Sequence, residues 1–483
     1  MQAAPFPRLV IAGLSGDAGK TMVSLALLLA TRRAGIPVRA FKKGPDYIDA
    51  AWLEWASGHP ARNLDSFLCG FPGVVQSFTR TACADGLNLV EGNRGLYDGS
   101  DPQGTHSTVE LAKALQAPVI LVVDAAKTTR TVAACVLGCQ KLDPQVTIAG
   151  VILNHATGLR HQRVIRACVE ADCGIPVLGA IPNLAAEGLL PNRHLGLVTP
   201  AEYPTSESDL ESRLCDLVAT HLDLEKLLEV SRHAPTLTFQ HEPKASAPRT
   251  VTIAYFKDSA FTFYYPENLE ALEAAGANIL PVDSLRAAEL PEHVDALYIG
   301  GGFPETHAAA LSRNRTLLES LKEMAAAGLP VYAECGGLML LSRAIRMDGL
   351  RYAMAGVLPF EVELCRKPQG HGYVALRVDR ENPFFPLGLE IKGHEFHYSR
   401  IAGAGALEQT VCSVVRGDGC GGSRDAIVTG NVWAAYTHLH ALGTPEWAGG
   451  MVAAAHRYYG AGKLALGARW ARLSGGAVLE NRQ

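Results

Sequence analysis

The sequence lacks a surplus of positive charge. Lys and Arg number 44 against 48 Asp and Glu, a net charge of −4, so no basic surface is expected for nucleic acid. It also lacks a long apolar run. The most hydrophobic stretch, Pro118 to Val123, is stopped by Asp124, well short of the roughly 20 residues that cross a bilayer. The opening residues lack the sections of a secretory signal, because the first apolar run leads straight into a glycine loop. Paired cysteine motifs are missing too. The eleven cysteines are odd in number and irregular in spacing, and the closest two, Cys135 and Cys139, do not form C-x-x-C. This argues against a disulfide frame or a zinc knuckle and for reduced thiols in a cytoplasmic protein. What remains is ordinary globular composition, 48% hydrophobic and 19% charged. At about 150 residues per domain, 483 residues suggest two to three domains.

The chemistry concentrates in two halves. In the C-terminal half, Val331 to Leu341 (V-Y-A-E-C-G-G-L-M-L-L) reads as strand, sharp turn and helix. The turn would place Cys335 at a helix N-terminus, where the dipole and free N–H groups favour a thiolate. A lone cysteine is more often buried and inert. Two other stretches tip the balance. Tyr298 to Glu305 carries Gly300, Gly301 and Gly302 at a strand end, a candidate oxyanion loop. Trp433 to His440 delivers His438 and His440 to one face of a strand. Cysteine, glycine loop and late histidine suggest a Cys335–His438 nucleophilic pair. This half resembles a class I glutamine amidotransferase domain of the cobyric-acid-synthase type, through A-E-C-G-G-L-M, G-G-G-F-P-E and Y-x-H in order. Most class I amidotransferases carry a Glu two residues after the histidine. Here that residue is His440, which leaves open what orients His438.

In the N-terminal half, the strand-like run from Arg8 feeds Gly13-Leu14-Ser15-Gly16-Asp17-Ala18-Gly19-Lys20-Thr21, followed by helical sequence. That is the context a phosphate-cradling loop requires. Gly13 and Gly19 are separated by five residues rather than four, and this variant resembles the loop of dethiobiotin synthetase and its amidoligase relatives. Gly13, Ser15, Gly16 and Gly19 would supply backbone N–H groups to ATP, Lys20 a neutralising charge, and Thr21 a hydroxyl for Mg²⁺. A second strand opens into Gly44-Pro45-Asp46-Tyr47-Ile48-Asp49, at the sheet edge where ligands bind in open α/β folds. A third ends in Glu91, Arg94 and Asp98 within E-G-N-R-G-L-Y-D-G. An acid at the end of a buried strand suits Mg²⁺, so Glu91 is the second metal candidate.

G-P-D-Y-I-D, Arg62-Asn63-Leu64-Asp65 and the Glu91 stretch together resemble cobyrinic acid a,c-diamide synthase. The resemblance runs from about Arg8 to His438. It implies a P-loop amidoligase domain with a mostly parallel sheet (1–200), a linker (201–249), an α/β class I glutamine amidotransferase domain (250–460) and a tail (461–483). It also implies that ATP phosphorylates acetate carboxylates of cobyrinate or hydrogenobyrinate, and that ammonia released from glutamine at Cys335 displaces the phosphate. Asp46, Tyr47, Ile48, Asp49, Asp98 and Arg94 would then serve acceptor binding or activation, and Asn154 the adenine. The expected partners are glutamine and a tetrapyrrole polycarboxylate, with no nucleic acid and no membrane, and a homodimer is an assembly this reading allows. The family's spelling usually has Val-Met where this chain has Asn93-Arg94. That departure keeps sirohaem or nickel sirohydrochlorin open as the acceptor. A P-loop regulatory ATPase fused to an inactive amidotransferase-like module is the alternative from another class. Arg160-His161 and Pro191 to Leu197 match family stretches without an assigned role. Lys392 to His397 carries His-Glu-x-His, which differs from the zinc spacing His-Glu-x-x-His and reads as structural or interface.

Overall fold

Seven apolar runs of the N-terminal half pair into one sheet. In chain order they are β1 (Arg8–Gly13), β2 (Val38–Lys43), β3 (Arg62–Leu64), β4 (Leu87–Gly95), β5 (Val119–Asp124), β6 (Ile148–Asn154) and β7 (Val177–Ala180). The computed structural model describes residues 2–184, 192–193, 196–203, 207–240, 247–403 and 406–474. Of the Pro191 to Leu197 stretch, Pro191, His194 and Leu195 lie outside these. The strand order is β3-β2-β4-β1-β5-β6-β7, with every neighbouring pair parallel. Parallel strands are covered on both faces, which is why these runs are apolar rather than alternating. Along β1, Leu9 and Ile11 enter one core and Val10 and Ala12 the other. The chain leaves β1 toward β2 and leaves β4 toward β5, in opposite directions across the sheet. The loops after these adjacent strands therefore meet at a topological switch point, where α/β folds bind ligands.

Helices α1 (Lys20–Arg33), α2 (Tyr47–Ser57), α3 (Ser66–Thr81), α4 (Thr108–Ala114), α5 (Arg130–Leu142) and α6 (Leu159–Cys173) connect these strands. Two more follow, α7 (Glu207–His221) and α8 (Leu224–Arg232). They occupy the stretch that the sequence reads as linker, yet Leu210, Leu214, Leu217 and Leu227 are buried in the core beside α1. Their charge lies on the solvent faces of amphipathic helices, and Glu211 pairs with Arg32 at 3.3 Å. Arg8 at the start of β1 fastens the same segment. Its buried guanidinium donates to the carbonyls of Leu115 (2.6 Å) and Pro235 (2.7 Å). The chain accordingly divides into compact units 1–243 and 244–483.

The second unit is built on a ten-stranded sheet. Its strands are β8 (Val251–Phe256), β9 (Ala277–Val282), β10 (Ala296–Ile299), β11 (Val331–Glu334), β12 (Gly370–Val378), β13 (Glu390–His397), β14 (Thr410–Arg416), β15 (Arg424–Thr429), β16 (Val432–Ala435) and β17 (His438–Leu439). Their order is β9-β8-β10-β11-β16-β15-β14-β12-β13-β17. The pairs from β9 to β16 are parallel and the rest antiparallel. β11, which leads to Cys335, lies in the middle, with β10 and β16 on either side. Helices α9 (Pro266–Ala274), α10 (Gly336–Leu341) and α11 (Glu446–Ser474) matter most to the site. The backbone of 461–474 continues α11, where the sequence reads a tail; residues 475–483 lie outside the described part. Among the described residues no helix is long and apolar enough to cross a membrane.

The placement of α7 is testable by substitution in the full chain. Leu214 is fully buried, so Leu214→Ala should destabilise the first unit by about 2–5 kcal/mol, read as a lowered calorimetric transition. A linker residue would stay within about 0.5 kcal/mol of wild type.

Candidate active sites

In the first unit the phosphate loop is shaped by close approach. Gly19 sits at φ 96, and a Cβ there would overlap the Asn154 amide. A Cβ at Gly13 would lie 2.9 Å from the Ser15 carbonyl oxygen and 3.2 Å from Lys20 Nζ. Lys20 folds back over the loop and donates to the Ser15 carbonyl at 2.9 Å. The Ser15 hydroxyl donates to the Gly16 carbonyl at 2.8 Å, and a Cβ at Gly16 would meet open space. Asn154, at the end of β6, donates from Nδ2 to the Ala18 carbonyl (3.0 Å) and accepts at Oδ1 from His155 N–H (3.0 Å). The sequence assigns this amide to adenine. The structure shows it clamping the phosphate loop.

Behind the loop lies a buried polar knot. Lys42 Nζ donates to Glu91 Oε1 at 2.8 Å and meets Asp49 Oδ2 at 2.6 Å. Thr21 Oγ1 donates to the same Glu91 oxygen at 2.8 Å. Burial alone would depress the Lys42 ammonium, but Asp49 and Glu91 outweigh it and hold the amine protonated. Burial also raises the Glu91 carboxyl, against the opposing pull of Lys42. Glu91 Oε2 is buried and accepts no hydrogen bond from any described residue. An orphaned carboxylate oxygen beside a threonine hydroxyl, behind a phosphate loop, fits the hard oxygen ligands of Mg²⁺.

The acceptor candidates divide. Asp49 belongs to the knot. Asp46 caps α2, accepting from Ile48 and Asp49 N–H at 2.9 Å each. Burial, with Asp49 adding repulsion, pushes its carboxyl up to about 6. Tyr47 opens α2, and Ile48 packs on the core below it. Asp98 Oδ2 accepts from Gly95 N–H at 2.8 Å and closes the turn after β4. Arg94 stands exposed at the end of β4.

In the second unit Cys335 is the N-cap of α10, at φ 47 and ψ −97. Its N–H donates to the Ala435 carbonyl at 2.7 Å. The elbow closes because Gly336 and Gly337 carry no side chain. A Cβ at Gly337 would lie 2.5 Å from the Ile299 carbonyl oxygen. One at Gly336 would lie 3.2 Å from Gly302 N, which places the glycine loop against the elbow. One at Gly301 would overlap the His438 ring, which places the histidine against the same loop. Gly300 N–H donates to the Tyr264 hydroxyl at 2.9 Å and is engaged there. Gly302 N–H meets no acceptor among the described residues, which leaves it available to a ligand. The thiolate expected from the helix dipole is not the resting form. Burial, with Glu305 adding repulsion, holds the Cys335 thiol well above its usual value, although Gly336 N–H hydrogen-bonds to it. A six-residue helix does not outweigh desolvation and nearby carboxylates.

An acid beside His438 is Glu334, the residue before Cys335. Its Oε2 lies 3.5 Å from His438 Nδ1, and both side chains are buried. Glu334 is fixed in turn by the Tyr298 hydroxyl (3.1 Å) and Leu439 N–H (3.2 Å). Other buried groups hold the strand. Asn268 bonds the Leu439 carbonyl at 3.0 Å and Ala441 N–H at 2.7 Å. Asp425 accepts from Tyr436 N–H (3.1 Å) and the Thr437 hydroxyl (2.6 Å). His440, where class I domains usually carry the acid, faces Glu267 at 3.6 Å. His394 stacks on His438 with centroids 5.0 Å apart, while Glu395 accepts from Asp418 (2.6 Å) and Gly419 (2.8 Å) N–H.

Residues 9–198 match the model of a CobQ/CobB/MinD/ParA nucleotide binding domain, and residues 252–446 that of a CobB/CobQ-like glutamine amidotransferase domain. The cobyrinate a,c-diamide synthase of Magnetococcus marinus is 42% identical over 92% of this chain and 96% of its own length. The chain belongs to the cobyrinate a,c-diamide synthase family. Family relatives from Caldanaerobacter subterraneus (42%, covering 82% of this chain and 86% of the relative) and Archaeoglobus fulgidus (38%, 90% and 94%) share the same two-part extent. Membership makes the chain a glutamine-dependent amidoligase with a nucleotide-binding first domain. For this family member, three side chains without a sequence-assigned role matter to the site geometry: Lys42, Glu334 and Asn268. Their signal was available, since each is a polar residue at the buried end of a strand or start of a helix.

Glu334→Gln should leave the fold and the KM for glutamine within about threefold. It should lower the glutaminase kcat roughly 100-fold or more, as losing the acid behind a catalytic histidine does elsewhere. An unchanged kcat would remove Glu334 from the catalytic arrangement.

Proposed function

We propose that this chain amidates the a and c acetate carboxylates of cobyrinate, with ATP and glutamine, in cobalamin biosynthesis. The observation that carries the reading is that two different sets of site residues occur in one chain, a phosphate loop backed by Lys42 and Glu91, and a glycine loop packed against both the Cys335 elbow and His438. The name shared by relatives along nearly the whole chain supplies the acceptor.

In the second unit the Cys335 sulfur attacks the glutamine amide carbon while His438 takes the thiol proton. Gly302 N–H stabilises the oxyanion. His438 then returns the proton to the departing nitrogen, leaving a glutamyl thioester and free ammonia. Water, deprotonated by His438, releases glutamate and restores the thiol. The raised thiol makes this proton transfer part of substrate binding rather than a standing charge.

In the first unit a carboxylate of the acceptor attacks the γ-phosphorus of ATP and ADP leaves. Ammonia then attacks the acyl phosphate, a C–N bond forms, and phosphate departs. A carboxylate does not react with ammonia at neutral pH, so the phosphoryl group is what makes it an electrophile. Lys20 moves from the Ser15 carbonyl onto phosphate charge, and Lys42, held protonated, faces the same edge. Thr21 and Glu91 would hold Mg²⁺, which when bound neutralises the phosphates. The reading places the reaction in the cytoplasm, where eleven unpaired cysteines stay reduced.

The test is mass spectrometry of products with ATP, Mg²⁺ and glutamine, offering cobyrinate and sirohaem in parallel. Two amides on cobyrinate are expected. Amidation of sirohaem alone would overturn the acceptor while keeping the chemistry. Two variants separate the halves. Cys335→Ser should lose glutamine-dependent but keep ammonia-dependent amidation. Lys20→Ala should lose amidation while glutamine hydrolysis remains measurable. Loss of both activities in a folded Lys20→Ala protein would contradict independent sites.

A further inference from the structure

At the carboxyl edge of β2 two lysines stand in sequence and face opposite ways, as strand alternation requires. Lys42 turns into the knot with Glu91 and Asp49. Lys43 turns to the other face of the sheet, the face into which the preceding Phe41 packs. It is 6% exposed, and its ammonium has no hydrogen bond or ion pair with any described residue. The nearest compensating charge, Asp65, is engaged as the N-cap of α3, accepting from Phe67 (2.8 Å) and Leu68 (3.0 Å) N–H. Burial pulls the Lys43 ammonium below its usual value, Asp65 opposes this, and Lys42 and Arg94 add repulsion.

Arg94 completes the cluster. It lies at the end of the neighbouring strand β4 with φ 50, a left-handed conformation rarely adopted by long side chains. The two loops touch here, since a Cβ at Gly44 would lie 3.1 Å from Asn93 Nδ2. No carboxylate among the described residues forms an ion pair with Arg94. A buried ammonium beside a second cation, opposed by a carboxylate that two N–H groups already engage, is unfavourable until a ligand supplies a further anion.

We propose that Lys43 and Arg94 form a carboxylate subsite that takes a second carboxylate of the acceptor, one other than the carboxylate being phosphorylated. This rests on the reading of the acceptor as a polycarboxylate. The subsite lies on the sheet face opposite the Lys42 knot. A carboxylate held there fixes the rotation of the acceptor, and so selects which side chain reaches the phosphate. Neither residue touches the reacting atoms; both act on acceptor affinity and on the choice of carboxylate.

The test uses full-length Lys43→Met and Arg94→Met, with cobyrinate varied at saturating ATP and glutamine. Each should raise the KM for cobyrinate roughly tenfold or more, the scale of one lost hydrogen bond to a charged group. The KM for ATP and the acceptor-free glutaminase rate should stay within about twofold. Lys43→Met should melt no lower than wild type, because it removes a buried charge without a partner. An unchanged cobyrinate KM overturns the proposal. So does a shift in the KM for ATP instead, which would make the anion a nucleotide phosphate, or a lower melting temperature with all parameters falling together. Cobyrinate binding is followed in parallel by absorbance titration, which needs no turnover. A wild type that binds cobyrinate without amidating it refutes the proposed activity, and the titration still decides the subsite.

Discussion

A single buried ammonium organises the catalytic edge of the first unit. Lys42 reaches from the end of β2 to Glu91 on β4 and Asp49 on α2, and Glu91 in turn takes the hydroxyl of Thr21 on α1. Four elements are thereby registered against one another at the place where nucleotide and acceptor must meet. Removing one partner of such a buried pair typically costs about 3–5 kcal/mol, because the other charge is left without compensation. The geometry therefore serves stability and chemistry at once. Lys42 is kept charged by the acids that position it, and one of those acids, Glu91, has an oxygen with no hydrogen-bond partner among the described residues.

The second unit solves a related problem with less charge. His438 needs a fixed ring, and the usual acid two residues later is His440. Glu334, at the end of β11, lies within ion-pair distance of the His438 ring and is held by Tyr298 and Leu439. Glu334 and Cys335 are thus consecutive residues at one elbow. That arrangement links the position of the sulfur to that of the imidazole without a long path of intermediates. Asn268 and Asp425 fix the two ends of the short stretch between β16 and α11 from opposite sides, so the histidine is held where Gly301 leaves it room.

Much of this was legible in the chain. The phosphate loop, Glu91 at its strand end, the Cys335 elbow and the glycine loop are marked by residue type and spacing, whereas the G-P-D-Y-I-D stretch with Asp49 stands out through its family resemblance. The strand periodicity also yields the parallel sheet of the first unit. Three features were hidden for physical reasons. The helices at 207–232 carry their charge outward, so their composition resembles a linker although their leucines complete a core. The contacts of Glu334 with His438 and of Lys42 with Glu91 join residues from about 50 to more than 100 positions apart, so the sequence marks the polar residues but not these pairings. The protonation of Cys335 follows from its desolvation, and a short helix N-terminus read from sequence says nothing about how deeply the sulfur lies.

The buried, protonated Cys335 has a consequence for how the enzyme endures oxidants. Peroxides, disulfides and electrophilic metabolites attack thiolates far faster than thiols. On the reading in which glutamine binding brings out the thiolate, the nucleophile is chemically quiet between turnovers. Its exposure to sulfenic acid formation and to alkylation would then follow the supply of its own nitrogen donor. The desolvation that raises the thiol would thereby protect it as well.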